Sequence, residues 1–524
     1  MTTTLRLAPW GGVVTRILAA AVRAVEPAAA VRRHVRRDGP LLVVGSQTYD
    51  LRQYERVFLV GAGKAGAPMA RALGSLVGDA LTSGVVVVKA GAEGATAEAA
   101  VGAASTELAG EESTQRSLPL TFLPARHPLP DERGVAATRR IGTLLEQAGE
   151  RDLVLVVLSG GGSALLTMPA PGVGLEDLQQ LTALLLACGA RIEEINRLRK
   201  HLDLVKGGGL ARLAFPATVV SLILSDVVGD PLDVIASGPT VPDPTTFADA
   251  FQVLERYHLL DCAPPAIVAR LHAGMRGEAA ETPGEGDAVF ARVQHVLVGN
   301  NRQAAEAALS AAHAEGLHAL ILTTQSQGEA RVMGQFLAAV AHELATTGLL
   351  GSRGGPSLCR PACLIVGGET TVTLRGDGCG GRNQEVALAA VRPLAGLADV
   401  ALVTLATDGE DGPTGAAGAV VTGATLERAL RLGLDPDTAL ARNDSTGFFA
   451  PIGDVIRTGP TRTNVNDLAL VFAWQGWYDS RERLDNKKSF HDNEQRHGPG
   501  KGPVTGPRIQ SQSWNTFSER RNRS

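Results

Sequence analysis

Six consecutive apolar residues, Leu153 to Leu158, run into Ser159-Gly160-Gly161-Gly162-Ser163, and a helical pattern follows. An unbroken apolar run of that length reads as a strand buried on both faces, the centre of a parallel sheet. Three glycines leave the backbone bare, so several N–H groups can face one point. A helix beginning there adds the partial positive charge of its N-terminus. Together these make a holder for phosphate or carboxylate, with Ser159, Gly160, Gly161, Gly162 and Ser163 as its contacts. A tight turn with glycines kept for packing is the alternative.

A second unit of the same kind lies upstream: a strand through Val57-Phe-Leu-Val60, then Gly61-Ala-Gly63-Lys64-Ala-Gly66, then a helix from about Ala67. G-x-G-x-x-G after a strand is the dinucleotide fingerprint, but it also wants a carboxylate ending the next strand to bind a ribose hydroxyl. That strand, Gly84 to Val88, ends in Lys89. Gly61, Gly63 and Lys64 therefore fit a phosphate loop better than an NAD site, although a cation would also suit the 2′-phosphate of NADP. Lysine is scarce in the body of the chain: only Lys64, Lys89, Lys200 and Lys206 precede residue 487. Keeping Lys64 and Lys206 beside glycines points to a need for an ammonium there.

Further strand-end loops carry charge. Val219 to Leu224 reads as a buried strand ending in Ser225-Asp226 and then Asp230. A carboxylate just past a strand's C-terminal end lies where open α/β sheets bind ligands. Asp226 and Asp230, four apart, are candidates to share a magnesium ion, a hard cation that prefers oxygen, and capping of the next element is the plain alternative. Lys206 is followed by three glycines, another bare cationic turn, and Gly299-Asn300-Asn301 follows a later strand. Cys363 to Val366 opens onto Gly367-Gly368-Glu369, with Val372 to Leu374 extending the strand. A glycine-rich loop then presents Arg382-Asn383, a pair suited to planar recognition of carboxylate or phosphate. Val400 to Leu405 leads to Asp408 and Asp411. His127, in His-Pro-Leu-Pro, reads equally as a substrate contact or a packing residue.

Organisation follows from texture. Residues 91–118 read as a surface excursion, 274–288 as the first domain boundary, 347–361 as a second linker, and 478–524 as polar tail without apolar spacing. A net charge of -4 argues against a nucleic-acid binder. Five cysteines without C-x-x-C spacing suggest reduced thiols rather than a zinc site or disulfide framework. No apolar run reaches the ~18–20 residues of a membrane span. Residues 1–37 hold seven arginines and one acid, Glu26, as import signals do, but Val14 to Val31 also reads as an amphipathic helix of the fold. A cytoplasmic protein is the expectation.

Taken together, the loops resemble the glycerate 2-kinase family, ATP-dependent kinases whose C-terminal part is the MOFRL domain. The resemblance rests on Gly61–Ala65, Ser159–Ser163, Leu198–Lys200 with Val205–Gly209, Ser221–Thr240, Gly367–Glu369, Gly380–Glu385, Thr407–Gly409 with Asp411–Thr414, and Thr463–Asp467, in order over roughly 14–472. It implies a two-domain α/β fold: a Rossmann-like parallel-sheet domain at 10–285 and a smaller mixed-sheet region at 290–473, MOFRL from about 360. It also implies an active site in the cleft between them and a non-family tail at 474–524. The N-terminal helix would belong to the fold. The implied reaction moves the γ-phosphoryl of ATP, with Mg2+, to the 2-hydroxyl of D-glycerate in a monomer or homodimer. The family's active-site lysine and arginine match Lys64 and Arg382. On that basis Lys64, Arg382 and Asp226 are the catalytic candidates, and Lys64, Arg382, Asn383 and Glu369 the substrate contacts. Gly61, Gly63, the Ser159–Ser163 loop, Lys206 and Asn300 are the nucleotide contacts, and Asp226, Asp230 and Asp408 the metal ligands. An NAD(P)-dependent hydroxypyruvate reductase, a kinase of another hydroxy acid and a non-catalytic metabolite sensor are the rivals.

Overall fold

The apolar run at 153–158 lies in a strand with every position buried, Asp152–Leu158. The computed structural model describes residues 2–91, 118–351 and 357–475. The excursion expected at 91–118, the middle of the 347–361 stretch and the tail beyond Gln475 lie outside the described residues. The chain first makes a small antiparallel meander, β1 (Val35–Asp38), β2 (Leu41–Val44) and β3 (Gln47–Asp50). Six parallel strands follow: β4 (Arg56–Ala62), β5 (Ser83–Lys89), β6 (Leu120–Ala125), β7 (Asp152–Leu158), β8 (Thr218–Leu224) and β9 (Val293–Gly299). Their spatial order is β6-β5-β4-β7-β8-β9. The sheet grows one way from β4 and the other way from β7, so its topological switch point lies between those two strands. Open sheets of this kind bind ligands beyond the strand ends at that point. The two glycine loops, Gly61–Gly66 and Ser159–Ser163, leave β4 and β7 there.

Helices cover the sheet by small-residue packing. Gly66–Val77 buries Ala67, Met69, Ala70, Leu73 and Gly74. Glu132–Leu145 starts at Asp131, whose carboxylate accepts from Gly134 N at 3.0 Å, and it buries Val135, Ile141 and Leu145 at helical spacing. Each such apolar side chain contributes about 1.5–3 kcal/mol of burial.

The second sheet is mixed. It contains β10 (His318–Glu329), β13 (Ala362–Thr371), β14 (Val400–Ala406), β15 (Gly418–Thr422), β16 (Val455–Ile456) and β17 (Asp467–Ala473); β11 (Leu349–Gly351) and β12 (Ser357–Cys359) pair separately. The order is β10-β13-β17-β14-β15-β16, with β10 and β13 parallel and the remaining pairs antiparallel. Leu337, Leu344, Val391, Leu402, Phe448 and Val471 are among its core.

Several expectations need correction. The strand after the expected boundary at 274–288 pairs with β8, so the chain changes sheet only after Gly299. β13 runs straight through Gly367-Gly368-Glu369 to Thr371, and 372–375 is not strand. The helix expected over 14–31 is two helices, Gly11–Ala24 and Pro27–His34, restarted at Pro27 with Glu26 as its cap. Its membership of the fold is evident: Val14, Ile17 and Ala21 are fully buried, and Thr463 Oγ1 donates to Val25 O at 2.6 Å. Trp474 does not belong to a tail. It is fully buried and stacks on Trp10 with ring centroids 4.3 Å apart.

Candidate active site

The two glycine loops are stitched to each other. Lys64 N donates to Gly160 O at 2.9 Å, and Ala65 N donates to Ser159 Oγ at 3.0 Å. Gly63 has φ +138°, and a Cβ there would lie 2.1 Å from Ser159 Oγ. The Ser159 hydroxyl therefore holds the first loop in place, and the backbone of Lys64 is fixed at the switch point.

The bareness of Ser159–Ser163 has a more specific cause than the sequence shows. A Cβ on Gly160 would lie 2.0 Å from Asp226 Oδ2. A Cβ on Gly161, at φ +80°, would meet the His127 ring at 2.9 Å and Lys64 Cγ at 3.5 Å. The glycines make room for three side chains. The helix behind the loop is also shorter than expected, only Gly162–Leu165, and Gly162, Ala164 and Leu165 donate their N–H groups to Ser159 O and Gly161 O. A helix of four residues offers little of the N-terminal charge expected of it, and Lys64 stands beside the loop as a full positive charge.

Lys64 makes no ion pair among the described residues, whereas Lys200 pairs with Asp233 and Asp243 and Lys206 with Asp203. Two carboxylates nevertheless feel it. Burial raises Asp226 above the usual aspartate range and Asp408 adds to the rise, while Lys64 opposes it. Burial also raises Asp408, with Asp467 and Glu410 adding; the hydrogen bond from Glu410 N and the charge of Lys64 oppose. Burial, then Lys64, then Lys89 hold His127 down at about 4, so its ring is neutral at pH 7. Lys64 follows β4, Asp226 follows β8 and Asp408 follows β14, so charges from both sheets act on one another.

Beside them lies a second cluster. Arg382 opens the helix Arg382–Leu394, donating from Nε to Asp467 Oδ2 at 2.6 Å and pairing with Glu369 Oε1 at 2.5 Å. Burial works against its charge, but Asp467 and Glu369 outweigh it and raise its pKa. Burial raises Glu369; Asp467 and Asp226 add, and Arg382 opposes. Asp467, the last residue of the Thr463–Asp467 motif and the first of β17, was not among the expected site residues. Its signal was a lone acid directly after Asn466, at the start of an apolar run; Asn466 has a φ of +65°, which marks a sharp turn.

Other candidates are engaged elsewhere. Lys206 is a correction: it is buried, its ammonium donates to Asp203 Oδ2 at 2.8 Å, Leu166 O at 2.6 Å and Thr167 Oγ1 at 3.4 Å, and three donors are thereby used. Asn383 is buried, and its backbone N–H and side-chain amide donate to Asp411 Oδ1 at 2.9 and 3.3 Å. Asp411 caps that helix from a distant loop, taking Gln384 N at 2.9 Å as well. Asn300 caps its own helix through Gln303 N at 2.9 Å and donates to Asp230 Oδ2 at 2.6 Å. Among the described residues, no three His, Cys, Asp or Glu side chains converge as metal ligands, so Asp226, Asp230 and Asp408 do not form one three-acid set.

Known proteins resemble this chain over most of its length. A family model described as a domain of unknown function, DUF4147, matches residues 13–272, and the MOFRL family model matches 362–467. The D-glycerate 2-kinase of Thermotoga maritima is 40% identical over 417 residues, 79% of this chain and 90% of that protein. The human glycerate kinase is 39% identical over 499 residues, covering 87% of this chain and 92% of that protein. The chain belongs to the glycerate kinase family. The crystal structure of the Thermotoga maritima glycerate kinase superposes with a TM-score of 0.73 at 39% identity, covering 88% of this chain and 99% of that one. Two proteins of Agrobacterium vitis called putative hydroxypyruvate reductases are also similar, at 38% and 40% identity.

A magnesium ion carried by a nucleotide needs only one or two protein carboxylates, since phosphates and water fill the other positions. Asp226 and Asp408 fit that role. Both carboxylates lack a cation within ion-pair distance among the described residues, and each raises or is raised by local negative charge.

Proposed function

We propose that this chain is an ATP-dependent glycerate 2-kinase acting in the space between its two sheets. The observation that carries the reading is Lys64: an ammonium fixed at the switch point between two glycine loops, free of any ion pair among the described residues, and felt by Asp226 and Asp408. Phosphoryl transfer asks the protein for positioning and charge neutralisation rather than covalent chemistry. The 2-hydroxyl oxygen of D-glycerate forms a bond to the γ-phosphorus, and the bond from that phosphorus to the β,γ-bridging oxygen breaks. Lys64 neutralises charge on the phosphoryl oxygens. Asp226, with its raised pKa, accepts the hydroxyl proton. Arg382 orients anionic substrate groups, in exchange for its contact with Glu369. Magnesium would supply further charge neutralisation on the nucleotide phosphates when held at Asp408, leaving Asp226 to take the proton.

The reductase reading finds less support, because β5 ends in Lys89 where a dinucleotide site wants a carboxylate. The test is an assay with ATP, Mg2+ and D-glycerate coupled to enolase, without phosphoglycerate mutase. Signal without mutase is expected, since enolase takes only 2-phosphoglycerate. Signal only after mutase addition overturns the 2-position. NADH oxidation with hydroxypyruvate, without ATP turnover, overturns the kinase. ATP turnover only on another hydroxy acid changes the substrate.

A further inference from the structure

The loop Ser159–Ser163 has two flanks. Asp226 Oδ2 lies against Gly160, 2.0 Å from where a Cβ would stand. His127 Nε2 and Lys64 Cγ lie against Gly161, 3.1 and 3.5 Å from its Cβ position. One peptide unit, about 3.8 Å between Cα atoms, separates the two glycines. An acidic group reached from β8 therefore faces one glycine, and groups reached from β4 and β6 face the next.

Lys89 extends the basic flank. β4 and β5 run parallel with Ala62 opposite Val87, and Gly63 N donates to Val87 O at 3.2 Å just beyond that pair. Lys64 and Lys89 each stand two residues past it, so they end neighbouring strands at one level. On the other side Lys89 is opposite Ala125 of β6, Ala90 N donates to Ala125 O at 2.9 Å, and His127 follows two residues on. The charges of Lys64 and Lys89 both act on the His127 ring. Neighbouring strands lie about 4.8 Å apart, and a flexible four-carbon stem carries each ammonium, so the two lysines reach adjacent phosphates of one polyphosphate.

Of the lysines that precede residue 487, Lys200 and Lys206 are buried in ion pairs. Lys89, like Lys64, is half-buried and has no carboxylate within ion-pair distance among the described residues. Two such cations at neighbouring strand ends repel each other, and an anion held between them relieves that repulsion. In-line transfer sets the direction: the attacking and leaving oxygens lie on opposite sides of the phosphorus. With Asp226 on the acidic flank as acceptor of the hydroxyl proton, the leaving oxygen falls on the basic flank.

We propose that Lys89 binds the β-phosphate of the nucleotide, the group that becomes the terminal phosphate of ADP, while Lys64 meets the γ-phosphoryl. This rests on the kinase reading above and on Asp226 as the base. As the γ-phosphorus bonds to the substrate hydroxyl oxygen, its bond to the β,γ-bridging oxygen breaks and the electron pair stays on that oxygen. Lys89 neutralises the charge that collects there, and the hydroxyl proton goes to Asp226. The 2′-phosphate of NADP is the other phosphate that a cation at the end of this strand would suit.

The experiment compares Lys89→Met and Lys89→Arg with the parent. ADP and AMP binding are measured by calorimetry, and KM is measured for ATP and for D-glycerate. Lys89→Met is expected to raise Kd for ADP by about 10- to 100-fold, the value of one charge-assisted contact. Kd for AMP should stay within twofold, so the preference for ADP over AMP collapses. KM for ATP should rise, KM for D-glycerate should stay within twofold, and kcat should fall because charge on the bridging oxygen grows in the transition state. Lys89→Arg keeps the charge and should recover most of the ADP affinity. A folded Lys89→Met protein with the parent's ADP affinity and D-glycerate turnover overturns this proposal alone, as does an equal loss for ADP and AMP. A parent that turns over no ATP but binds NADPH in preference to NADH, and loses that preference in Lys89→Met, overturns the kinase reading and gives Lys89 to the 2′-phosphate.

Discussion

Gly160 and Asp226 fill one space: a Cβ on Gly160 would lie 2.0 Å from Asp226 Oδ2. The loop that reads as a phosphate cradle is also the back wall of the proposed base. Gly160→Ala should push the carboxylate aside. A misplacement of about 1 Å costs roughly 100-fold in rate, so kcat should fall by about that factor, with a small loss of melting temperature. In an Asp226→Asn background the same change should add little, because the displaced group is already disabled. Additive losses in the double variant would break the link between the two residues.

Lys64 carries the mechanism and makes no ion pair among the described residues, so removing it leaves no buried partner orphaned. Lys64→Ala should retain the fold by circular dichroism and lower kcat by about 100- to 1,000-fold, the loss typical of one preorganised charge at a transition state. A rate within tenfold of the parent would remove Lys64 from the chemistry.

What the sequence shows and what it hides divide along a physical line. The strand-loop-helix units were legible because an apolar run and its glycines are local, and the placement of Lys64 came with them. Asp467 and Asp411 act on Arg382 and Asn383 from 85 and 28 residues away, and no local pattern shows such a pairing. Lys206 was misread for a different reason. Its partner Asp203 stands three residues earlier, an ion-pair spacing visible in the sequence, but the glycines after Lys206 drew the reading toward a ligand. Asn300 and Asp230 looked like site residues because they follow strands; they bond to each other, and Asn300 caps its own helix.

The pH dependence has two opposed parts. The folded pKa of Asp226 is raised above 3.8 by burial. Between the unfolded and folded values the native state holds a proton that the unfolded chain has released, so stability falls as pH rises through that window. At pH 7 the buried Asp226 carboxyl is a standing cost, and Asp226→Asn should raise the melting temperature there while removing activity. That gain should vanish below pH 4. His127 has the other sign: its folded pKa of about 4 lies below 6.5, so its contribution is complete above pH 6.5 and lost as pH falls toward 4. His127→Gln should flatten the melting-temperature loss over that interval. Melting curves from pH 4 to 8 test both; a less stable Asp226→Asn protein at pH 7 would contradict the first.

Lys206 and Asp203 supply the sharpest test of a structural assignment. Both side chains are nearly inaccessible, at 3% and 2%, and desolvation pushes the lysine pKa down and the aspartate pKa up. Breaking one half of such a pair costs about 3–5 kcal/mol, because the other half is left buried and charged. Replacing both by apolar residues of similar volume removes the desolvation penalty along with the attraction. Lys206→Met alone should therefore unfold at markedly lower urea than the parent, and Lys206→Met with Asp203→Leu should recover most of the difference. Asp203 also accepts from Met168 N and Val205 N, at 3.0 Å each, so recovery should stop short of complete. If the double variant is no more stable than the single, the pair is not what holds Lys206, and the lysine returns to consideration as a ligand group.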